Sequence, residues 1–114
     1  MKSSLEHGEQ VAFVRWFRAT FPSVLIFAIP NGGKRGISEA KRLKEEGVVP
    51  GIPDMNVPAW RLWVEMKRVK GGRVSDEQAE TMDYLQTIGD TCLVTLGCDD
   101  AIKQVLNFLM EKQK

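Results

Sequence analysis

The six residues from 62 to 67 constrain the fold most, because they form an apolar run that contains two charged side chains. In an extended strand, residues two apart share a face at a spacing of about 6.6–6.8 Å. The run therefore predicts a strand on which the Glu65 carboxylate and the Lys67 ammonium lie side by side. The opposite face of this strand is predicted to be apolar and to contain Leu62, Val64 and Met66.

Asp54 precedes Glu65 by a segment that can fold back on itself at Ala59 and Trp60. In such a hairpin Asp54 lies opposite Glu65, with Cβ atoms about 4.5–5.5 Å apart. Two carboxylates at that distance repel each other unless one is protonated or a cation lies between them. A hard divalent cation with oxygen ligands, Mg²⁺ above all or Mn²⁺, suits the pair. Lys67 can then orient a water or neutralise charge that develops on a phosphate.

Basic residues cluster on both sides of Asp54 and Glu65, although the formal net charge is only +1. From residue 76 to residue 100, in contrast, every charged residue is acidic. This separation predicts a basic working face and an acidic back, as expected of a protein that binds a polyanion. The alternative is ordinary solvated charge on exposed helices. The basic residues concerned are Lys34, Arg35, Lys41, Arg42, Lys44, Arg68, Lys70 and Arg73.

Apolar periodicity and capping signals predict eight elements in the order α-β-α-β-β-α-β-α. Ser38 is expected to begin the second helix, Ser75 and Gln78 form a Ser-x-x-Gln capping box for the third, and Asp99 or Asp100 begins the last. The helices are predicted at residues 5–20, 38–46, from 76 onward and from about 100 onward, and the strands at 24–29, 53–57, 61–67 and 91–96.

The turn at residues 30–33 contains two glycines, which permit unusual backbone angles. Its exposed amides, at Asn31 and beyond, could cradle a phosphate together with Lys34 and Arg35. The alternative is a plain connecting turn.

At 114 residues the chain is long enough for one domain, residues 1–114, with a single core. Its apolar fraction of 43% and charged fraction of 27% are ordinary for a globular protein. No apolar run approaches the roughly 20 residues of a membrane span, and no signal peptide precedes the first helix. We therefore expect a cytoplasmic protein with Cys92 and Cys98 as reduced thiols.

Three motifs resemble the active-site motifs of the PD-(D/E)XK nuclease superfamily: Pro53-Asp54, Glu65-Met66-Lys67 and Ser75-Asp76-Glu77-Gln78. Within it they are most similar to the stand-alone VRR-NUC domains often found in phage and prophage genomes. This resemblance implies a protein of a bacterial or phage-infected cell. Two further stretches match, at residues 6–10 and 28–35. The resemblance runs in the family's order from about residue 6 to residue 96.

The resemblance implies an α/β fold with the restriction-endonuclease-like core αβββαβ, a mixed sheet flanked by helices, once the short basic helix is set aside. It implies that Glu9 and the backbone carbonyl of Met66 complete a metal site with Asp54 and Glu65. Glu6 competes with Glu9, and Glu9 could instead be a rim residue paired to an arginine. Gln78 is expected close to Lys67 and the carboxylates; alternatively, it only caps its helix.

The implied activity is Mg²⁺- or Mn²⁺-dependent endonucleolytic hydrolysis of DNA that leaves a 5′-phosphate. Small domains of this kind resemble archaeal Holliday-junction resolvases, which favours branched DNA such as four-way junctions. The alternatives are a flap or non-specific nuclease or nickase, and a non-catalytic DNA-binding subunit of the same fold. A homodimer would supply two cuts. The last helix has more apolar residues than one face needs, so Phe108 or Met110 is expected to be covered by a second subunit or by the chain's own hairpin.

Overall fold

The computed structural model describes residues 4–30 and 36–113 and has the predicted order of elements. None of its helices within those ranges has the length and apolar character needed to cross a membrane. The helices are α1 (Ser4–Thr20), α2 (Ile37–Glu45), α3 (Asp76–Thr87) and α4 (Cys98–Lys112), and a 3-10 turn occupies Pro58–Trp60. The strands are β1 (Phe27–Ala28), β2 (Met55–Val57), β3 (Leu62–Lys67) and β4 (Thr91–Leu96).

The four strands form one mixed sheet in the order β1-β2-β3-β4. β2 pairs with β1 and β3 in antiparallel fashion, whereas β3 and β4 are parallel. In the β2–β3 hairpin Met55 pairs with Val64, so Asp54, one residue beyond, comes level with Glu65. The hairpin turns where predicted, and Arg61 takes the left-handed conformation there, with φ of 50°. The predicted α/β class and mixed sheet are confirmed.

The apolar face of β3 forms the floor of the core beneath α1 and α4. Leu62, Val64 and Met66 are fully buried, and Phe17 of α1 packs in the same cluster. The Phe17 ring lies 5.4 Å from that of Trp60, which ties α1 to the hairpin turn. Aromatic pairs of this kind contribute about 0.5–1.5 kcal/mol beyond the area that they bury. The other core side chains include Phe13, Ile26, Ala101 and Val105.

The polar face of β3 is turned toward α3 and the loop that follows α3. Trp63 donates from Nε1 to Asp90 Oδ2 at 2.9 Å, and Arg61 forms an ion pair with Asp90 at 2.7 Å. Cys92, on the neighbouring strand, points its Sγ toward the Met82 carbonyl of α3. Burial, with a smaller contribution from Asp90, raises the pKa of Cys92 to about 11. Cys92 and Cys98 are both free thiols.

Predicted boundaries are wrong for four elements. β2 begins at Met55 instead of residue 53. β1 covers only two residues instead of 24–29, because the chain turns where Val24 N donates to Phe21 O and leaves Leu25 63% exposed. α2 is preceded by Gly36 rather than begun by Ser38, and α4 by Gly97 rather than by Asp99 or Asp100. The capping box of Ser75 and Gln78 is confirmed in both of its hydrogen bonds.

Candidate active site

A cleft of about 770 Å³ is lined by one face of α1 and by the segment from Ile26 to Pro30, which contains β1. Residues of the Asp54 loop, β3 and α3 complete its lining. Four of the residues selected from the sequence motifs line the same cleft: Asp54, Glu65, Lys67 and Gln78. The fold therefore brings together side chains that come from a loop, from β3 and from the first turn of α3.

Asp54 and Glu65 are held against each other by the backbone of the β2–β3 hairpin. Asp54 N donates to Glu65 Oε1 at 3.1 Å, and Met66 N donates to Asp54 Oδ2 at 2.8 Å. Only 6% of Asp54 and 2% of Glu65 is exposed. Because each carboxylate accepts a hydrogen bond from the opposite arm of the hairpin, the strand register fixes how the two carboxylates lie relative to each other.

Gln78 joins the helix cap to the charged groups of β3. Its Oε1 accepts from Ser75 N at 3.0 Å and from Lys67 Nζ at 2.9 Å, and its Nε2 donates to Glu65 Oε2 at 2.8 Å. Lys67 Nζ also lies 3.2 Å from Glu65 Oε2, in a largely buried ion pair. One amide group therefore positions both the ammonium and the carboxylate.

Gly51 allows the loop before Asp54 to lie directly against the start of α3. Its φ is +90°, and a Cβ at this position would be 2.5 Å from the Glu77 carbonyl oxygen. No side chain fits there, and the backbone angle also favours glycine. This contact brings the Asp54 loop and Gln78 to the same end of the cleft.

Glu9, the predicted third carboxylate, does not line the cleft that contains Asp54 and Glu65. Its Oε1 accepts a hydrogen bond from Cys98 N, at the start of α4. Gly97, the residue before α4, has no side chain with which to cap the helix, so Glu9 of α1 supplies the missing acceptor. Glu6, one turn earlier, lines the cleft with Asp54 and Glu65.

The described residues do not contain a preformed cage for a metal ion. In residues 4–30 and 36–113, no three or more His, Cys, Asp and Glu side chains are grouped closely enough to hold one. Asp54 and Glu65 are therefore the adjacent pair of candidate metal ligands. Glu6, unlike Glu9, is a further carboxylate that lines the cleft.

We expect Glu9→Ala to lower the free energy of unfolding by about 1 kcal/mol, because a helix N-terminus loses its capping acceptor and a favourable negative charge. Urea or thermal denaturation measures the change. Glu6→Ala is the matched control, since it removes a carboxylate of the same helix that does not cap α4. It should lower the free energy of unfolding by less than Glu9→Ala does. Equal stability of Glu9→Ala and wild type would contradict the capping role.

The cleft face of α1 contains four polar residues for which the sequence motifs predicted no role. They recur at helical spacing, which is the signal that could have revealed them. The Oε1 of Gln10 is buried and has no hydrogen-bond partner in the described part of the chain. Because buried acceptors are normally satisfied, a water or a ligand group is expected to donate to it. His7 and Gln10 belong to the matching stretch at residues 6–10, whereas Arg15 and Arg18 belong to no motif.

Of the basic residues that the charge pattern indicated, those within residues 36–113 do not line this cleft, apart from Lys67 of the motif. Asn31, Lys34 and Arg35 fall outside the described residues. Lys44 lines a second cavity, which shares Pro30 and Gln78 with the cleft. Arg42 is paired with Glu46 at 2.9 Å on the surface of α2. The remaining ones are exposed and line neither cavity within residues 36–113: Lys41, Arg68, Lys70 and Arg73.

Comparison with known proteins rests on structure alone. No family model matches the sequence, and no curated protein matches it. A solved structure described as a "VRR_NUC domain protein" is similar, with a TM-score of 0.78 and 22% sequence identity over 96% of this chain and 92% of that one. A likeness at that identity shows the fold, and the chain therefore has the VRR-NUC fold.

Proposed function

We propose that the protein is a divalent-metal-dependent endonuclease that hydrolyses DNA phosphodiester bonds in a single domain. The observation that carries the proposal is the grouping of Asp54, Glu65 and Lys67 at one end of the cleft, two carboxylates beside an ammonium. The structural neighbour, a VRR_NUC domain protein, supports the same class of activity.

The donor atoms of this site suit Mg²⁺ or Mn²⁺. Mg²⁺ is usually held by one or two carboxylates, with waters and substrate phosphate oxygens completing its shell, so a closed protein cage is not required. Asp54 and Glu65 would supply the carboxylates, with the Met66 carbonyl and Glu6 as further oxygen ligands. When bound, the cation would supply Lewis-acid polarisation of the scissile phosphate and of a bound water.

Lys67 is the residue that acts on the reacting groups in this proposal. Its ammonium, fixed by Gln78 and Glu65, orients the attacking water or stabilises the negative charge of the pentavalent phosphorane. The water oxygen bonds to phosphorus while the bond from phosphorus to the 3′ oxygen breaks. The products are a 5′-phosphate and a 3′-hydroxyl.

The proposed substrate is branched DNA, above all a four-way junction, cut by a homodimer. Two strands of a junction must be cut nearly together, and a two-fold dimer supplies two equivalent sites. Exposed apolar residues on α4 support a second subunit: Met110 is 63% exposed and Leu106 43%. Phe108, by contrast, packs near the Trp60 ring of its own chain, at 6.4 Å.

Cleavage of a substrate panel tests the proposal. Purified protein is incubated with a four-way junction, a flap, a linear duplex and a single strand, with MgCl₂ and with EDTA. We expect Mg²⁺-dependent paired cuts in the junction. DNA binding without any cleavage would favour the non-catalytic subunit, and cleavage of all four forms alike would favour a non-specific nuclease.

Light scattering on the same sample tests the dimer. We expect about twice the chain mass of 12.8 kDa at micromolar concentration. A clean monomer that still makes paired cuts would require the two cuts to be sequential, and a monomer that accumulates nicked junctions would remove the resolvase.

A further inference from the structure

We infer that Arg15 and Arg18 of α1 form a phosphate-binding subsite that holds the DNA strand several nucleotides away from the bond that is cut. The inference rests on the proposed function and extends it, because it states how the strand lies in the cleft. It also assigns a role to residues that no active-site motif contains.

Both guanidinium groups are available to a ligand. In residues 4–30 and 36–113, Arg15 makes no hydrogen bond or ion pair, and Arg18 donates only to the Ile26 carbonyl, at 3.3 Å. Arg42 and Arg61, in contrast, are each paired with a carboxylate. A guanidinium presents several donors in a planar fork, which matches the oxygens of a phosphate.

Contacts along α1 show which end of the cleft each residue occupies. Glu9 meets the start of α4, where Gly97 N donates to the Lys67 carbonyl at the end of β3. Phe17 meets Trp60 at the far end of β3, in the hairpin turn. The first half of α1 therefore lies level with the catalytic end of the strand, and its second half extends away from it.

The helical rise converts this arrangement into a distance. At about 1.5 Å per residue, Arg15 and Arg18 lie roughly 9 and 14 Å beyond Glu9 along the helix axis. One strand of a duplex carries a phosphate every 3.4 Å or so of axis, so this distance corresponds to about three or four phosphates. The subsite would therefore contact phosphates on one side of the scissile one.

The acidic residues of the cleft and the two arginines lie toward different ends of it. The acidic residues that line it, Glu6, Asp54 and Glu65, accompany Lys67 and Gln78, whereas the wall from Ile26 to Pro30 is uncharged. The arginines thus provide positive charge where no carboxylate lines the cleft in the described part of the chain. A strand entering there meets attraction before it reaches the metal-binding end.

The test measures binding separately from cleavage. In a Glu65→Gln background, fluorescence anisotropy gives the affinity for a labelled duplex over a range of KCl concentrations. Each phosphate contact contributes about 0.9 to the slope of log K against log salt. We expect Arg15→Ala with Arg18→Ala to reduce that slope by about 1.8. The matched control, Lys103→Ala with Lys112→Ala, removes equal charge from α4 outside the cleft and should leave the slope unchanged.

A second measurement locates the contact. Neutral methylphosphonate linkages are placed one at a time on either side of the scissile bond. In the parent protein, linkages about three or four positions to one side should weaken binding, and the same linkages should have no further effect once both arginines are replaced. Arg15→Lys with Arg18→Lys should restore part of the salt slope, because a point charge remains.

The outcomes separate the two proposals. If the wild-type protein cuts DNA but the arginine variant keeps the full salt slope of its Glu65→Gln background, or matches the α4 control, the subsite is refuted and the nuclease stands. If the parent protein neither binds nor cuts any DNA of the panel, the proposed function itself fails. A reduced slope together with a localised methylphosphonate effect supports the subsite.

Discussion

Glu65→Gln and Lys67→Ala should each lower the single-turnover rate of DNA cleavage by about 10²–10³-fold, the size of loss expected when one preorganised electrostatic group is removed from an active site. Glu65→Gln removes the negative charge that would hold the cation and faces the Lys67 ammonium. Lys67→Ala removes the ammonium while Gln78 retains its capping contact with Ser75. Both losses should appear in the chemical step, with DNA still bound.

The controls must separate chemistry from folding. Glu80→Gln and Lys103→Ala make the same changes of charge at exposed positions on α3 and α4, and they should leave the rate unchanged. Circular dichroism and thermal melting of every variant check that it is folded. A folded Glu65→Gln protein that turns over at the wild-type rate would refute the assignment of the active site.

Saturating Mg²⁺ should raise the free energy of unfolding, because Asp54 and Glu65 are two buried carboxylates in adjacent positions whose repulsion a bound cation relieves. A ligand that binds only the native state contributes about 2.7 kcal/mol at 100 times its dissociation constant. For a domain of this size that corresponds to a rise in Tm of roughly 10 °C. Differential scanning fluorimetry with and without MgCl₂ measures it.

Asp54→Asn provides the test of where the metal binds. The asparagine keeps an oxygen that can accept from Met66 N but lacks the charge, so the Mg²⁺-induced rise in Tm should shrink by most of its value. Glu9→Gln is the matched control, because Glu9 caps α4 and lies outside the cleft. If wild type and Asp54→Asn shifted by the same amount, the cation would be bound elsewhere.

Local patterns were sufficient to predict the elements that matter most for the site. β4 begins and ends where its apolar run does, at Thr91 and Leu96. The hairpin register followed from the turn near Trp60, and with it the placement of Asp54 beside Glu65. The capping box at Ser75 fixed the start of α3. Each of these depends on neighbours a few residues apart, which a sequence displays directly.

Contacts between distant parts of the chain were not predictable in this way. Whether Glu6 or Glu9 faces the cleft depends on how α1 is rotated about its axis, which is set by packing against α4. Glu9 and Cys98, the residues that meet, are 89 positions apart. The predicted start of α4 was wrong for the same reason, because its capping acceptor comes from another helix. Arg15 and Arg18 belong to no motif, and only the folded structure shows that both line the cleft.

Because the Gln78 side chain bonds both to the helix cap and to Glu65, glutamine is favoured over glutamate at this position of α3. A capping box accepts either glutamate or glutamine at this position, since both offer an oxygen to the backbone N–H of the capping residue. Here the amide nitrogen donates to Glu65, so a glutamate would set a partly buried carboxylate against the buried carboxylate of Glu65. Glutamate and glutamine cap a helix equally well, so the contact with Glu65 of β3 is what favours glutamine here. A glutamine in such a box, following a strand that contains Glu-x-Lys, is itself evidence that the helix faces the acidic group.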